Sequence, residues 1–247
     1  MKKLLFSLML LLSITSFSQQ TAAKKEGGLF KKAGDVLNKV KGGNTSLSND
    51  EIIAGLKEAL SVGANNSSQK LAALDGFFAN AAIKVLMPAE AKKVESTLRA
   101  AGLGGMVDKA ILSMNRAAED ASKSAAPIFI NAIKEMSFQD AFSILKGNDT
   151  AATSYLKEKT TSALTTAFKP VIDEALKKTD ATKYWRDVFE TYNKLPTTFK
   201  KINTDLSGYV TEKALGGLFY QVALEEQKIR KDPAARVTDI LKKVFAN

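Results

Sequence analysis

The chain contains no cysteine and no histidine. The first absence excludes disulfides, thiolate metal sites, iron–sulfur clusters and cysteine nucleophiles. The second excludes a Ser-His-Asp triad, a histidine general base and a histidine-ligated zinc. Long apolar runs are missing too. After the first residues no stretch approaches the ~20 apolar residues that span a bilayer. There is no rhythm of short strands and turns, which argues against sandwiches, barrels and parallel sheets. There is no repeat of fixed period, so a solenoid is not supported. What remains is a chain of 247 residues, 45% hydrophobic and 25% charged. That composition belongs to globular proteins rather than disordered or fibrous ones.

The amino terminus has the pattern of a secretory signal peptide. Lys2 and Lys3 precede an apolar run from Leu4 to Leu12 that only Ser7 interrupts. Ser16 and Ser18 then place small residues where a signal peptidase reads them, predicting cleavage before Gln19. With no cysteine at that site, a lipid-anchored lipoprotein is excluded. The expected mature protein is exported, periplasmic or secreted, with no transmembrane span.

Charge is unevenly spread. Against a net charge of +10, residues 24–43 hold Lys24, Lys25, Lys31, Lys32, Lys39 and Lys41 with only Glu26 and Asp35, a net +4. Within this stretch Leu29, Ala33, Val36, Leu37 and Val40 recur at helical spacing between two glycine pairs. Residues 19–45 thus read as a basic amphipathic head or linker, suited to an anionic membrane surface or an acidic partner. Because the excess charge is local to the head, nucleic acid is not expected as a partner.

From residue 46 onward the spacing predicts a single all-α domain of about eight to ten helices, with at most one very short extended segment. Ser48 and Glu51 form a capping-box pattern before a helix running to about Leu74, with a break at Asp75-Gly76. Ile83, Val85 and Met87 alternate with Lys84 and Leu86 as a short extended piece would. Pro88 suits the first turn of a helix ended by Gly102. Gly104 to about Ala125 reads as a helix that Pro127 breaks or kinks. Ser137 caps a short helix, and Asn148 or Asp149 caps the next. Pro170 is expected to open another. Tyr184, Trp185, Val188, Phe189 and Tyr192 mark an aromatic helix. Asp205 caps one from Leu206 to Lys231, and Val237 to Phe245 make the last.

The run from Asp205 to Phe219 (DLSGYVTEKALGGLF) resembles the carboxy-terminal signature of the DUF4197 family. Glu225-Glu226, Ile229-Arg230, Pro233 to Arg236 and Leu241 to Phe245 continue it. Upstream, Gly55 to Leu60 (GLKEAL) and Asn115 to Glu119 (NRAAE) are similar to the same family's pattern. The resemblance covers residues 50–247 and implies an exported, all-helical protein. It implies no chemistry, because the family has no assigned function.

Catalytic patterns are thin. Adjacent Glu225 and Glu226 point about 100° apart on a helix and cannot face one site together. Glu226 instead precedes Arg230 by four residues, the favourable order for an ion pair. Ser67 and Ser154 each stand three residues before a lysine, but without the partner motifs of a penicillin-binding site the pattern carries nothing. Gly102 to Gly105 follow no strand, so a dinucleotide or P-loop reading fails and a helix–helix corner is expected. Gly216-Gly217 inside a helix points to close packing. Catalytic residues, cofactors and metals are therefore not assigned. Arg116, Glu119, Glu226, Arg230 and Arg236 form the candidate polar cluster, expected to be partly buried and paired. Two functions remain. One is a non-catalytic binding or interaction module for an apolar ligand or partner helix, with a basic surface-attachment head. The alternative is a histidine- and cysteine-independent envelope hydrolase using carboxylate, lysine or serine chemistry.

Overall fold

The computed structural model describes residues 48–179 and 205–232, with Thr182, Trp185, Arg186, Phe189, Glu190, Asn193 and Lys201 besides. The head and its six lysines, Arg236, the helix expected at 237–245 and Tyr184, Val188 and Tyr192 lie outside the described residues. Among the described residues the fold is all helical, with seven α-helices and no strand. They are α1 (Asn49–Ala72), α2 (Lys92–Ala100), α3 (Gly104–Ser122), α4 (Ala125–Glu135), α5 (Phe138–Lys146), α6 (Ala151–Lys177) and α7 (Leu206–Lys231). The expected eight to ten is thus slightly too many here.

Pro170 accounts for one of the missing helices. It was expected to start a helix, but α6 runs through it without a break. A proline inside a helix removes one backbone bond and costs ~3 kcal/mol. Leu164, Phe168, Ile172 and Leu176, four residues apart on one face, are all completely buried. Burying such side chains is worth about 1.5–3 kcal/mol each, so packing outweighs the proline. Pro127 is also displaced from expectation. The break comes earlier, between Ser122 and Ala125, and Pro127 occupies the first turn of α4, where no backbone donor is needed. Likewise Pro88 precedes a 3-10 turn (Ala89–Ala91) rather than opening α2 itself.

Other local signals behave as the chemistry dictates. Glu51 N–H donates to the Ser48 hydroxyl, and Ser48 N–H donates to the Glu51 carboxylate, closing the capping box. Ser137 and Asp140 repeat the arrangement at α5. The α2–α3 corner ends in a Schellman motif: Gly102 takes φ 79°, Leu103 N–H donates to Leu98 O, and Gly102 N–H donates to Arg99 O.

Helix α7 packs on α1, α3 and α6, and α6 also packs on α3, α4 and α5. The core between them is filled by Phe77, Phe129, Phe168 and Phe189 among others, with Phe129 and Phe219 meeting edge to face at 5.9 Å. The connector from α1 to α2 is buried on alternate residues. Ile83, Val85 and Met87 point inward while Leu86 is exposed. It is extended, as its alternation implied, but pairs with no strand.

Candidate functional site

Connectors cannot be buried unless their backbone groups find partners. Helix α3 supplies those partners for the α1–α2 connector from one stretch, Asn115 to Glu119. The buried Asn115 side chain accepts from Val85 N–H at 2.9 Å and donates to Val85 O at 2.8 Å and Ile111 O at 2.7 Å. It pairs with the extended segment as a strand neighbour would. The Glu119 carboxylate accepts from Phe77 and Phe78 N–H at 3.1 and 3.2 Å, the free donors that open the 75–79 turn. Arg116 donates to Glu119 at 2.6 Å and to Asp75 at 2.7 Å, and these bonds raise its pKa above the ordinary arginine value. Asp75 stands at φ 67°, so this clamp also holds an unfavourable backbone position.

Helix α7 builds a second clamp of the same design at the α5–α6 corner. Helix α6 lacks a side-chain cap from its own N-cap residue, Thr150. Asn148 only turns the loop, accepting from Thr150 N–H, and so does not serve as the expected cap. Glu226 provides it from across the fold. Its carboxylate accepts from Ala152 N–H at 3.0 Å, Thr153 N–H at 2.8 Å and the Thr153 hydroxyl at 2.8 Å. A negative charge there also opposes the positive end of the helix dipole. Arg230 pairs with Glu226 at 2.9 Å and donates to Ile144 O, a terminal carbonyl of α5, at 2.8 Å. Glu226 thus caps the start of α6 while Arg230 closes the end of α5.

The four described candidates therefore pair as arginine with glutamate, in two separate clamps. Arg116 and Glu119 belong to the first, Glu226 and Arg230 to the second. Asn115 has the largest part in the first clamp and is not among the candidate polar residues that the sequence singles out. Its signal was a polar residue on the inward α3 face, in line with Ile111 and Ala118. Lys57 of α1 makes a smaller contact of this kind, donating to Lys134 O at the end of α4.

The glycine pair divides in two. A Cβ on Gly217 would lie 2.5 Å from the Phe77 ring and 3.3 Å from Ile83, whereas one on Gly216 would meet nothing within 4 Å. The close partner is the connector, not a neighbouring helix. Tyr209, two turns earlier on α7, also ties the connector by donating to Leu86 O at 2.7 Å. Burial pushes the Tyr209 phenol up to about 12, with Glu212 and Glu90 adding to the shift.

Between the connector, α2, α3 and the end of α6 lies a groove of about 870 Å3. Its lining is mainly apolar: Leu74, Met87, Leu98 and Met106 face it, and Trp185 and Phe189 close one side. Leu74 and Met106 are 76% and 48% exposed, so apolar surface continues onto the rim. Val107, Ala110, Ile111, Met114 and Ala118 recur at helical spacing as the apolar stripe of α3, and Val107, Ala110 and Met114 from it line the groove. The exposed Met106 and Leu103, off that stripe, were the available sign of the groove. Of the two carboxylates in the lining, Glu119 is held by the first clamp and Asp120 pairs with Lys123 at 2.6 Å. Among the described residues no three acidic side chains gather as a metal site would require, and no helix is long and apolar enough to cross a membrane.

These features define an all-helical domain whose buried ionic residues hold connectors in place beside an apolar groove. Asn115, Arg116, Glu119, Glu226 and Arg230, with Lys57 and Gly217, all fall in the segments that resemble the DUF4197 pattern. The family model described as "Protein of unknown function (DUF4197)" matches residues 46–246, and the chain belongs to that family. No curated protein and no solved structure matches it.

Proposed function

We propose that this chain is an exported, non-catalytic binding module that holds an apolar ligand in the groove along α3. The groove itself carries the reading: it is within the roughly 300–1,000 Å3 range of ligand sites and is lined mainly by aliphatic and aromatic side chains. A hydrolase needs convergent polar groups with shifted pKa values in a cleft. Glu119 and Asp120 are instead committed to the clamp and to Lys123, which favours binding over hydrolysis.

Native mass spectrometry and lipid extraction of the protein purified from its own envelope test this. A small apolar molecule should accompany the wild type. The variant Ala110→Phe, which fills the groove, should lose most of it. Ligand-free wild type, or equal retention by both proteins, overturns the reading.

In the same proposal residues 1–18 direct export and residues 19–45 attach the domain to anionic surfaces. Lysines near such a surface contribute about 1 kcal/mol each, screened by salt. The purified chain should begin at Gln19. It should co-sediment with anionic vesicles at low salt and be released at high salt, whereas a form starting at Ser46 should stay in solution. Equal sedimentation of both forms removes the attachment role.

A further inference from the structure

The charged side chains around the groove say more about its occupant. Lys109, Arg116, Lys123 and Lys178 line it against only Glu119 and Asp120. Arg116 is bound to Glu119 and Asp75, Lys123 to Asp120, and Lys178 to Glu174 at 2.9 Å. Lys109 has no ion-pair partner among the described residues. It stands one turn in from Met106, exposed beside apolar walls. A neutral ligand would leave this charge unanswered, and a ligand with one anionic end would not.

Length points the same way. At about 1.5 Å per residue, the α3 face from Lys109 to Lys123 extends about 21 Å. An all-trans alkyl chain, whose bonds lie in the same staggered geometry throughout, advances about 1.27 Å per bond, so that distance takes roughly 17 bonds. Arg116, Glu119, Asp120 and Lys123 edge the far half of that span as paired charges, and Ala72, Leu74 and Ala175 add apolar lining from α1, the connector and α6, which suits one long, unbranched tail.

We propose that the groove binds a single-chain anionic amphiphile, a long-chain carboxylate whose head meets the Lys109 ammonium and whose tail follows α3 toward Lys123. This rests on the groove being a ligand site and adds the chemical class of the ligand. Trp185, the chain's only tryptophan, lines the groove and reports occupancy without a label.

The test titrates hexadecanoate and 1-hexadecanol, each below its aggregation concentration, into the delipidated full chain as the cell processes it. Wild type should bind hexadecanoate about fivefold more tightly than the alcohol, the upper end for an exposed ion pair. The preference should shrink at high salt. Lys109→Gln should bind both alike, and Lys109→Glu should prefer the alcohol. Because Lys109 is exposed and outside both clamps, these variants should keep the wild-type melting temperature. Equal affinity of the wild type for acid and alcohol overturns this inference and leaves the groove as an apolar site. A preference for acid that survives in Lys109→Gln also overturns it. Failure of either compound to change Trp185 emission would sink the inference together with the reading on which it rests.

Discussion

Glu226→Ala is the sharpest probe of the α5–α6 clamp. The substitution removes the acceptor from Ala152 and Thr153 N–H, both buried at the start of α6. Each such donor left unmatched costs about 1–3 kcal/mol. It also removes the 2.9 Å ion pair to Arg230, whose side chain is only 12% exposed. Removing one partner of a buried pair costs about 3–5 kcal/mol in all, and the two estimates describe overlapping losses, so about 4 kcal/mol is expected. For a domain of this size each kcal/mol moves the melting temperature by about 2–4 °C, which gives a fall of ~8–16 °C. Glu226→Gln keeps an acceptor oxygen without the charge and should lose roughly half as much. The double variant Glu226→Met/Arg230→Met replaces both members of the pair by apolar side chains and should recover part of the loss. Thermal melts followed by circular dichroism, with urea unfolding as a second measure, provide the comparison. A Glu226→Ala protein melting within about 2 °C of wild type would refute the reasoning, because α6 would then need no cap from α7.

Further tests address the connector and its neighbours. Gly217→Ala should destabilise by about 1–3 kcal/mol, since its Cβ would press on the fully buried Phe77, whereas Gly216→Ala should stabilise by up to about 1 kcal/mol. Equal effects in urea unfolding would show that Phe77 yields. Asn115→Ala should cost about 2–4 kcal/mol by leaving both Val85 backbone groups unpaired, and Arg116→Ala less, because Arg116 is partly solvated. The reverse ranking would place the weight of the clamp on charge. In a spectrophotometric alkaline titration one tyrosine should ionise near pH 12, and Tyr209→Phe should delete that step. Since its folded pKa lies above the unfolded value near 10, its contribution to stability is full below pH 10 and disappears as pH rises through about 12. A single tyrosine transition near pH 10 would contradict this.

The sequence was most readable where one residue type has one local use. Ser48 with Glu51 and Gly102 after α2 mark helix ends through hydrogen bonds within a few residues, and the structure contains those bonds. The proline signals were weaker, because Pro170 sits in a helix whose buried face holds it together regardless. The charge pairs were half legible. Spacing shows that Glu226 can reach Arg230, but not that the carboxylate closes a helix starting more than seventy residues earlier. The groove was hidden for the same reason. Its walls come from the connector, α2, α3, α6 and Trp185, and no single stretch contains its pattern.

The position of α7 in the chain bears on how the protein is made. This helix inserts Gly217 against Phe77 and closes the core on α1, α3 and α6, yet it leaves the ribosome after all three. Contacts between such distant stretches form slowly, because the intervening chain must first be gathered. Until α7 is made, the earlier helices have neither their central neighbour nor the cap that starts α6. The earlier helices of a nascent chain are therefore expected to stay loose until α7 is made, and a loose chain is easy to thread through a narrow pore, as the proposed export route would require. By the same token, a message cut short before residue 206 yields a product without a closable core, one that quality-control proteases should remove even though most of its helices are encoded.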